Sequence, residues 1–87
     1  MPDMLNPADR QLGRTIGRLR RAACLSLPHL ASMMEVGDLQ LATVEAGEAR
    51  LRSHQIEKAA AALGVPLHVL YDGPGERAGA FGLQGAN

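Results

Sequence analysis

Apolar residues in the first part of the chain recur every three or four positions, which is the spacing of one face of an α-helix. Between residues 10 and 23 this set comprises Leu12, Ile16, Leu19 and Ala23. Asp9 stands just before it and is a suitable N-cap. Residues 1–8 contain two prolines and show no periodicity. The pattern predicts a flexible leader over 1–8 and a first helix that begins at Asp9.

Two short helices joined by a compact turn are predicted next. Ser26 can cap a helix over about 26–34, and Gly47 can end another over about 38–46. Residues 35–37 form the connection. The inward-facing positions are Leu30, Ala31 and Met34 in the first helix, and Leu41 and Val44 in the second. The pattern is therefore typical of two packed helices separated by a tight turn.

Two further helices complete the predicted domain. Ser53 can cap the fourth helix, Gly64 can end it, and Pro66 can begin a brief fifth helix that runs through Tyr71. The inner faces would use Ile56, Ala59, Ala60 and Leu63, followed by Leu67 and Leu70. The predicted domain thus spans residues 9–72.

The composition changes after Asp72. Residues 73–87 hold half of the chain's ten glycines, and such a segment is expected to be mobile when it stands alone. Phe81 and Leu83 alternate with small residues within it. A small strand or hook that contacts a second subunit is the alternative for this tail.

The residue composition favours an all-α fold. With one Tyr, one Phe and no Trp, the core must be aliphatic, which suits packed helices better than a sheet. A chain of 87 residues buries only about 60% of the surface that it exposes when unfolded, so we expect a homodimer. The lone Cys24 excludes an intramolecular disulfide, and neither a membrane span nor a signal sequence is found. We expect a cytoplasmic location.

Charge is distributed unevenly, although nine basic and nine acidic residues cancel. Five arginines fall within residues 10–21 without an acid among them, whereas residues 22–49 contain acids and no Lys or Arg. Four of these arginines cluster on the side of the first helix opposite its apolar face: Arg10, Arg14, Arg18 and Arg21. Two interpretations remain open for this arginine stripe. It is either an ordinary solvated face or a docking surface for phosphate or an acidic protein partner.

No pattern of catalytic or metal-binding residues is found. His29, His54 and His68 are far apart in the sequence, and the chain has neither a cysteine pair nor a glycine-rich phosphate loop. We therefore predict that the protein is not an enzyme and that it needs no metal or cofactor.

Several motifs together point to a known family. They are Ile16-x2-Leu19-Arg20, Leu25-Ser26-x3-Leu30-Ala31, Val36, Leu41-x2-Val44-Glu45-x-Gly47 and Ala60-x2-Leu63-Gly64-Val65-Pro66-Leu67. Jointly they resemble the Cro/CI-type, or XRE-like, helix-turn-helix domains of phage repressors and bacterial regulators. The resemblance covers about Leu12 to Gly73. It implies a five-helix lambda-repressor-like DNA-binding domain with a Gly-rich C-terminal tail.

The resemblance also implies roles for individual residues. In that family the third helix lies in the DNA major groove, where Gln40 would pair with adenine, Asp38 would accept from cytosine, and Thr43 would contact a thymine methyl or a phosphate. The implied base contacts are Asp38, Leu39, Gln40 and Thr43. The implied phosphate contacts are Ser26, His29, Arg50, Arg52 and Ser53. An ion pair between Arg20 and Glu45 would orient the first and third helices.

Four departures from the family pattern accompany this resemblance. Residues 37–43 carry no Lys or Arg, and Leu27 stands where the family often has a phosphate-binding glutamine. Cys24 and Glu35 occupy positions where glycine is frequent, so both are expected to adopt left-handed backbone conformations.

The sequence leaves three functional hypotheses. The favoured one is a homodimeric, sequence-specific double-stranded DNA-binding regulator, acting as a repressor on an inverted-repeat operator. A second is a helix-turn-helix scaffold that binds a protein partner, such as a polymerase subunit or another regulator. A narrower version of the first makes the protein the antitoxin of a toxin-antitoxin pair.

Overall fold

Five α-helices make up the part of the chain that the computed structural model describes, residues 5–72. They are α1 (Pro7–Ala22), α2 (Leu27–Met34), α3 (Asp38–Glu45), α4 (Ser53–Leu63) and α5 (Leu67–Asp72). No strand occurs within these described residues. The predicted all-α class is therefore confirmed.

The core forms where the helices cross. Helix α1 packs against α3, α4 and α5, and α2 packs against α3 and α4. The large fully buried apolar side chains of the core are Leu12, Ile16, Leu30, Met34, Leu41, Val44 and Leu70. Two predicted core positions are wrong, because Ala23 lies exposed at the C-cap of α1 and Leu67 remains 42% exposed on α5. Thr15 is buried instead, and its hydroxyl has no hydrogen-bond partner among the described residues.

Helix α1 begins earlier than predicted. Asn6 is the N-cap, and its Oδ1 accepts a hydrogen bond from the backbone N–H of Asp9 at 2.9 Å. Pro7 occupies the first helical position, where its missing N–H removes no hydrogen bond. Assigning residues 7 and 8 to a flexible leader was therefore wrong, as was Asp9 as the cap. Residues 1–4 of that leader lie outside the described residues.

Helix α4 begins with Ser53 as its first helical residue, so the prediction that Ser53 is the cap was wrong by one position. Arg52 is the N-cap, and Gln55 Oε1 accepts its backbone N–H at 2.9 Å. The Arg52 side chain has no acceptor atom and cannot cap the helix in return. At the other end Gly64 closes α4 with φ +72°, as predicted.

The turn between α2 and α3 closes through a left-handed residue. Glu35 has φ 62°, and Cys24 after α1 has φ 61°, so both predicted left-handed conformations are confirmed. The N–H of Glu35 donates to Ser32 O at 3.1 Å, and that of Val36 donates to Ala31 O at 3.0 Å. These bonds end α2 sharply and leave only residues 35–37 before α3.

Relieving the strain at this turn is expected to stabilise the domain. A left-handed conformation costs a residue with a Cβ atom about 1–2 kcal/mol, so Glu35→Gly should raise the free energy of unfolding by about 0.5–1 kcal/mol after the entropic cost of glycine. Its 3.5 Å contact with Lys58 is solvent-exposed and should contribute little. Urea unfolding would measure the change. Glu35→Ala is the control, because it removes the same ion pair and keeps the strain; an equal gain in both variants would contradict this explanation.

The Gly-rich tail at 73–87, with Phe81 and Leu83, lies outside the described residues. Within residues 5–72, no helix is both long and apolar enough to cross a membrane.

Candidate nucleic-acid interface

Helix α3 is held against α1 at very close range. A Cβ atom added to Gly13 would overlap the carbonyl oxygen of Val44, and one added to Gly17 would lie 3.1 Å from Glu45 Oε1. Both glycines are buried. Neither had a role predicted from the sequence. The available signal was two glycines four positions apart within a helix, where glycine is otherwise unfavourable.

The Arg20–Glu45 ion pair joins the same two helices. Arg20 Nε donates to Glu45 Oε2 at 2.8 Å, and Arg20 Nη2 donates to Oε1 at 3.1 Å. A third nitrogen, Nη1, donates to the carbonyl of Leu25 at 2.8 Å. The side chains are only 14% and 9% exposed. By accepting these hydrogen bonds, the Glu45 carboxylate raises the pKa of Arg20 above its ordinary value, so the guanidinium stays charged.

Two arginines of the stripe also lie at the carboxyl end of α3. The guanidinium of Arg14 lies beside the backbone of Gly47, and Arg21 Nη1 is 3.9 Å from Glu45 Oε1. Cations are favourable at this end of a helix because the unpaired carbonyl groups carry partial negative charge. Arg10 and Arg18 are exposed on α1. Part of the stripe therefore contacts the end of α3.

The outward side of α3 consists of Asp38, Leu39, Gln40 and Thr43, which we call the reading face. The first three are exposed, and Leu39 is 80% exposed. Thr43 is half-buried and its Oγ1 donates to the carbonyl of Leu39 at 2.9 Å. Among the described residues, no hydrogen bond or ion pair engages the side chains of Asp38 and Gln40. These polar groups are free to meet a ligand.

The start of α2 offers few unpaired backbone donors. Ser26 Oγ accepts the backbone N–H of His29 at 3.1 Å, and Pro28 has no N–H. Leu27 is thus the one first-turn residue whose N–H is unpaired within residues 5–72. Ser26 keeps its hydroxyl proton for donation, and the side chain of His29 is exposed.

The start of α4 is better supplied with donors. The N–H groups of Gln55 and Ile56 donate to Arg52 O, which leaves those of Ser53 and His54 unpaired in the described part of the chain. Ser53 adds an exposed hydroxyl. Arg50 and Arg52 are both exposed and have no acidic partner there. Unpaired N–H groups and guanidinium groups at a helix start suit a phosphate.

Groups suited to metal chemistry do not converge in residues 5–72. No three His, Cys, Asp or Glu side chains there could hold a metal ion together. Cys24 is a free, exposed thiol.

Comparison with known proteins relates the chain to a gene regulator of known structure. No protein-family model matches the chain, and no curated protein matches it. A solved structure does: the clp gene regulator ClgR from Corynebacterium glutamicum shares 27% sequence identity with the chain at a TM-score of 0.71. The match covers 98% of this chain and 85% of that one. The chain thus resembles a gene regulator in both sequence and fold.

Proposed function

We propose that the protein is a transcriptional regulator that binds double-stranded DNA in a sequence-specific manner, as a Cro/CI-type, XRE-like homodimer on an inverted repeat. The observation that carries the proposal is the pair α2 and α3, joined by the three-residue turn, with an exposed reading face on α3. The similarity to a gene regulator supports it.

In this function α3 enters the major groove, which is wide enough for an α-helix. Gly37 caps α3 without a side chain, so the reading face begins at the first helical residue. Gln40 is the residue with both a donor and an acceptor for adenine, whereas Asp38 can only accept, for example from the amino group of cytosine. The ion pair and the contact at Gly13 fix the direction in which α3 projects.

Phosphate binding falls mainly to the start of α4. Asp38 repels phosphates and residues 37–43 contain no cation, so Arg50 and Arg52 are the cations nearest in sequence to α3 that attract phosphates. Ser53 would add its hydroxyl and backbone N–H. Ser26 and His29 would contact a phosphate at the start of α2, with fewer donors available.

The proposed dimer would place two copies of α3 in successive major grooves, about 34 Å apart, on an inverted repeat. Bound across a promoter, such a dimer would act as a cytoplasmic repressor by occluding polymerase. A small core makes pairing of two copies energetically useful.

Selection from a random duplex library with the full chain would test the proposal, followed by a salt titration on any enriched sequence. A dimer that binds phosphates should enrich a palindrome and lose affinity steeply as salt rises. Failure to enrich any sequence, together with no binding at low salt, would sink the proposal.

Gln40→Ala and Arg50→Ala should differ in kind. The first is expected to relax one base position by about 1–3 kcal/mol, because a bidentate contact to a base edge is lost. The second should weaken all duplexes alike and reduce the salt slope by about 1. Competition binding with single-base operator variants would measure both. Arg18→Ala, which removes an exposed arginine on α1, is the matched control. Identical profiles for Gln40→Ala and Arg50→Ala would mean that α3 does not read bases.

A protein-interaction role is the second candidate, and the strongly exposed Leu39 on an acid-bearing helix favours it. The partner would be a polymerase subunit or another regulator, bound through α3 or through the stripe of Arg10, Arg14, Arg18 and Arg21. Binding of such a partner by a chain that selects no DNA would decide for this function.

A further inference from the structure

Leu39 is the most exposed large apolar side chain of residues 5–72. It is 80% exposed, whereas the other large exposed apolar side chains of the described residues, Met33, Leu67 and Tyr71, lie between 42% and 47%. Leu41, two positions later, is fully buried. Helix α3 therefore has an apolar contact on its inner side and a second apolar group facing water, and covering that group with an apolar ligand would be favourable.

The surroundings of Leu39 restrict what that ligand can be. Asp38 and Gln40 flank it and have no partner within residues 5–72, so the apolar group stands between two unpaired polar side chains. Thr43 lies one turn later on the same side of the helix. It is half-buried, and its hydroxyl proton is donated to Leu39 O at 2.9 Å. Leu39 is thus more exposed than Thr43, which the resemblance had offered for a methyl contact.

We propose that Leu39 selects a pyrimidine that carries a methyl group at C5. The inference rests on the proposed DNA-binding function and identifies the chemical group read at that site. In the major groove the C5-methyl of thymine is the apolar group on a base edge, and 5-methylcytosine presents the same group. The charges fit this arrangement, because Asp38 keeps the first turn of α3 away from phosphates while Arg50 and Arg52 attract them.

Removing single methyl groups from the DNA tests the inference. Starting from the enriched duplex, each thymine is replaced in turn by deoxyuridine, which lacks only the methyl group, and each cytosine by 5-methylcytosine. The wild-type chain should bind about 4-fold more weakly when one critical thymine methyl is lost, and about 15-fold when both half-sites lose it. Where the position is a cytosine, methylation should instead strengthen binding by a similar factor.

Variants of Leu39 decide whether the effect passes through this side chain. Leu39→Ala should abolish the methyl dependence at that position and no other, and Leu39→Met should retain it. Leu67→Ala, another exposed leucine, should keep the wild-type ratio whatever its overall affinity. The inference would be overturned by a methyl dependence that is equal in the wild type and in Leu39→Ala. It would also be overturned if neither the deoxyuridine nor the 5-methylcytosine duplexes changed the affinity of the wild type. The DNA-binding function would stand in either case. No bound duplex at all would overturn both and would leave Leu39 as a contact for a protein.

Discussion

Arg20→Ala is expected to lower the free energy of unfolding by about 3–5 kcal/mol. The change removes three hydrogen bonds and leaves the carboxylate of Glu45, only 9% exposed, without its bidentate partner. A domain of this size has a total stability of about 4–13 kcal/mol. Urea or thermal unfolding of the variant should therefore show a large shift, and a marginal domain would be partly unfolded.

Arg21→Ala is the matched control for this experiment. Arg21 approaches the same carboxylate, but its nitrogen lies 3.9 Å away and its side chain is 63% exposed. A solvent-exposed pair of this kind contributes at most about 1 kcal/mol. Replacing both members of the buried pair, as in Arg20→Met with Glu45→Leu, should recover much of the loss because no charge is then stranded. Similar losses of stability for Arg20→Ala and Arg21→Ala would show that the buried Arg20–Glu45 pair is not the stabilising contact.

Protonated Arg20 should contribute to the free energy of unfolding at every pH from acidic to moderately alkaline. Its carboxylate partner raises the pKa of Arg20 in the folded protein. A raised folded pKa gives stability that is fully present below the unfolded value and is lost only as pH rises beyond it. That window lies at strongly alkaline pH, so deprotonation of Arg20 will not weaken the domain near neutrality.

Gly13→Ala is expected to lower the free energy of unfolding by about 1–2 kcal/mol on balance. Alanine alone would favour the helix by about 1 kcal/mol, so the sign of the result is informative. The new Cβ would overlap the backbone carbonyl of Val44, which cannot move aside as a side chain can, and α1 and α3 would have to separate. Denaturant unfolding would measure the loss. DNA affinity should also fall, because the position of α3 changes.

Gly17→Ala provides the comparison on the same face of α1. Its added Cβ would meet the side chain of Glu45 at 3.1–3.2 Å, where a shift of a few tenths of an ångström relieves the contact. The loss there should be clearly smaller. A stabilising Gly13→Ala would show that the two helices are not in close contact at Val44.

The α2–α3 pair shows how much local sequence decides. The spacing of Leu30, Ala31, Met34, Leu41 and Val44 predicted which side of each helix is buried, and all five are buried. The buried side of a helix depends on residues within about four positions of one another, so a single sequence specifies it. The left-handed conformations of Cys24 and Glu35 were predicted from the family resemblance, and the structure contains both.

Helix starts and helix-to-helix contacts were harder to predict. Asn6 and Asp9 are both good caps, and Asn6 prevails because Pro7 can occupy the first helical position. The donors at the start of α2 and α4 could be counted only after the structure showed which N–H groups are already bonded.

Local patterns were enough to predict five helices in a helix-turn-helix arrangement and to show that α3 carries no cation between residues 37 and 43. Only the packed fold shows that the backbone of Val44 lies against Gly13, that Arg14 and Arg21 lie near the carboxyl end of α3, and that Leu39 is more exposed than Thr43. These features depend on segments that are distant along the chain. Periodicity and capping act between near neighbours, whereas close packing and exposure depend on which distant segments meet.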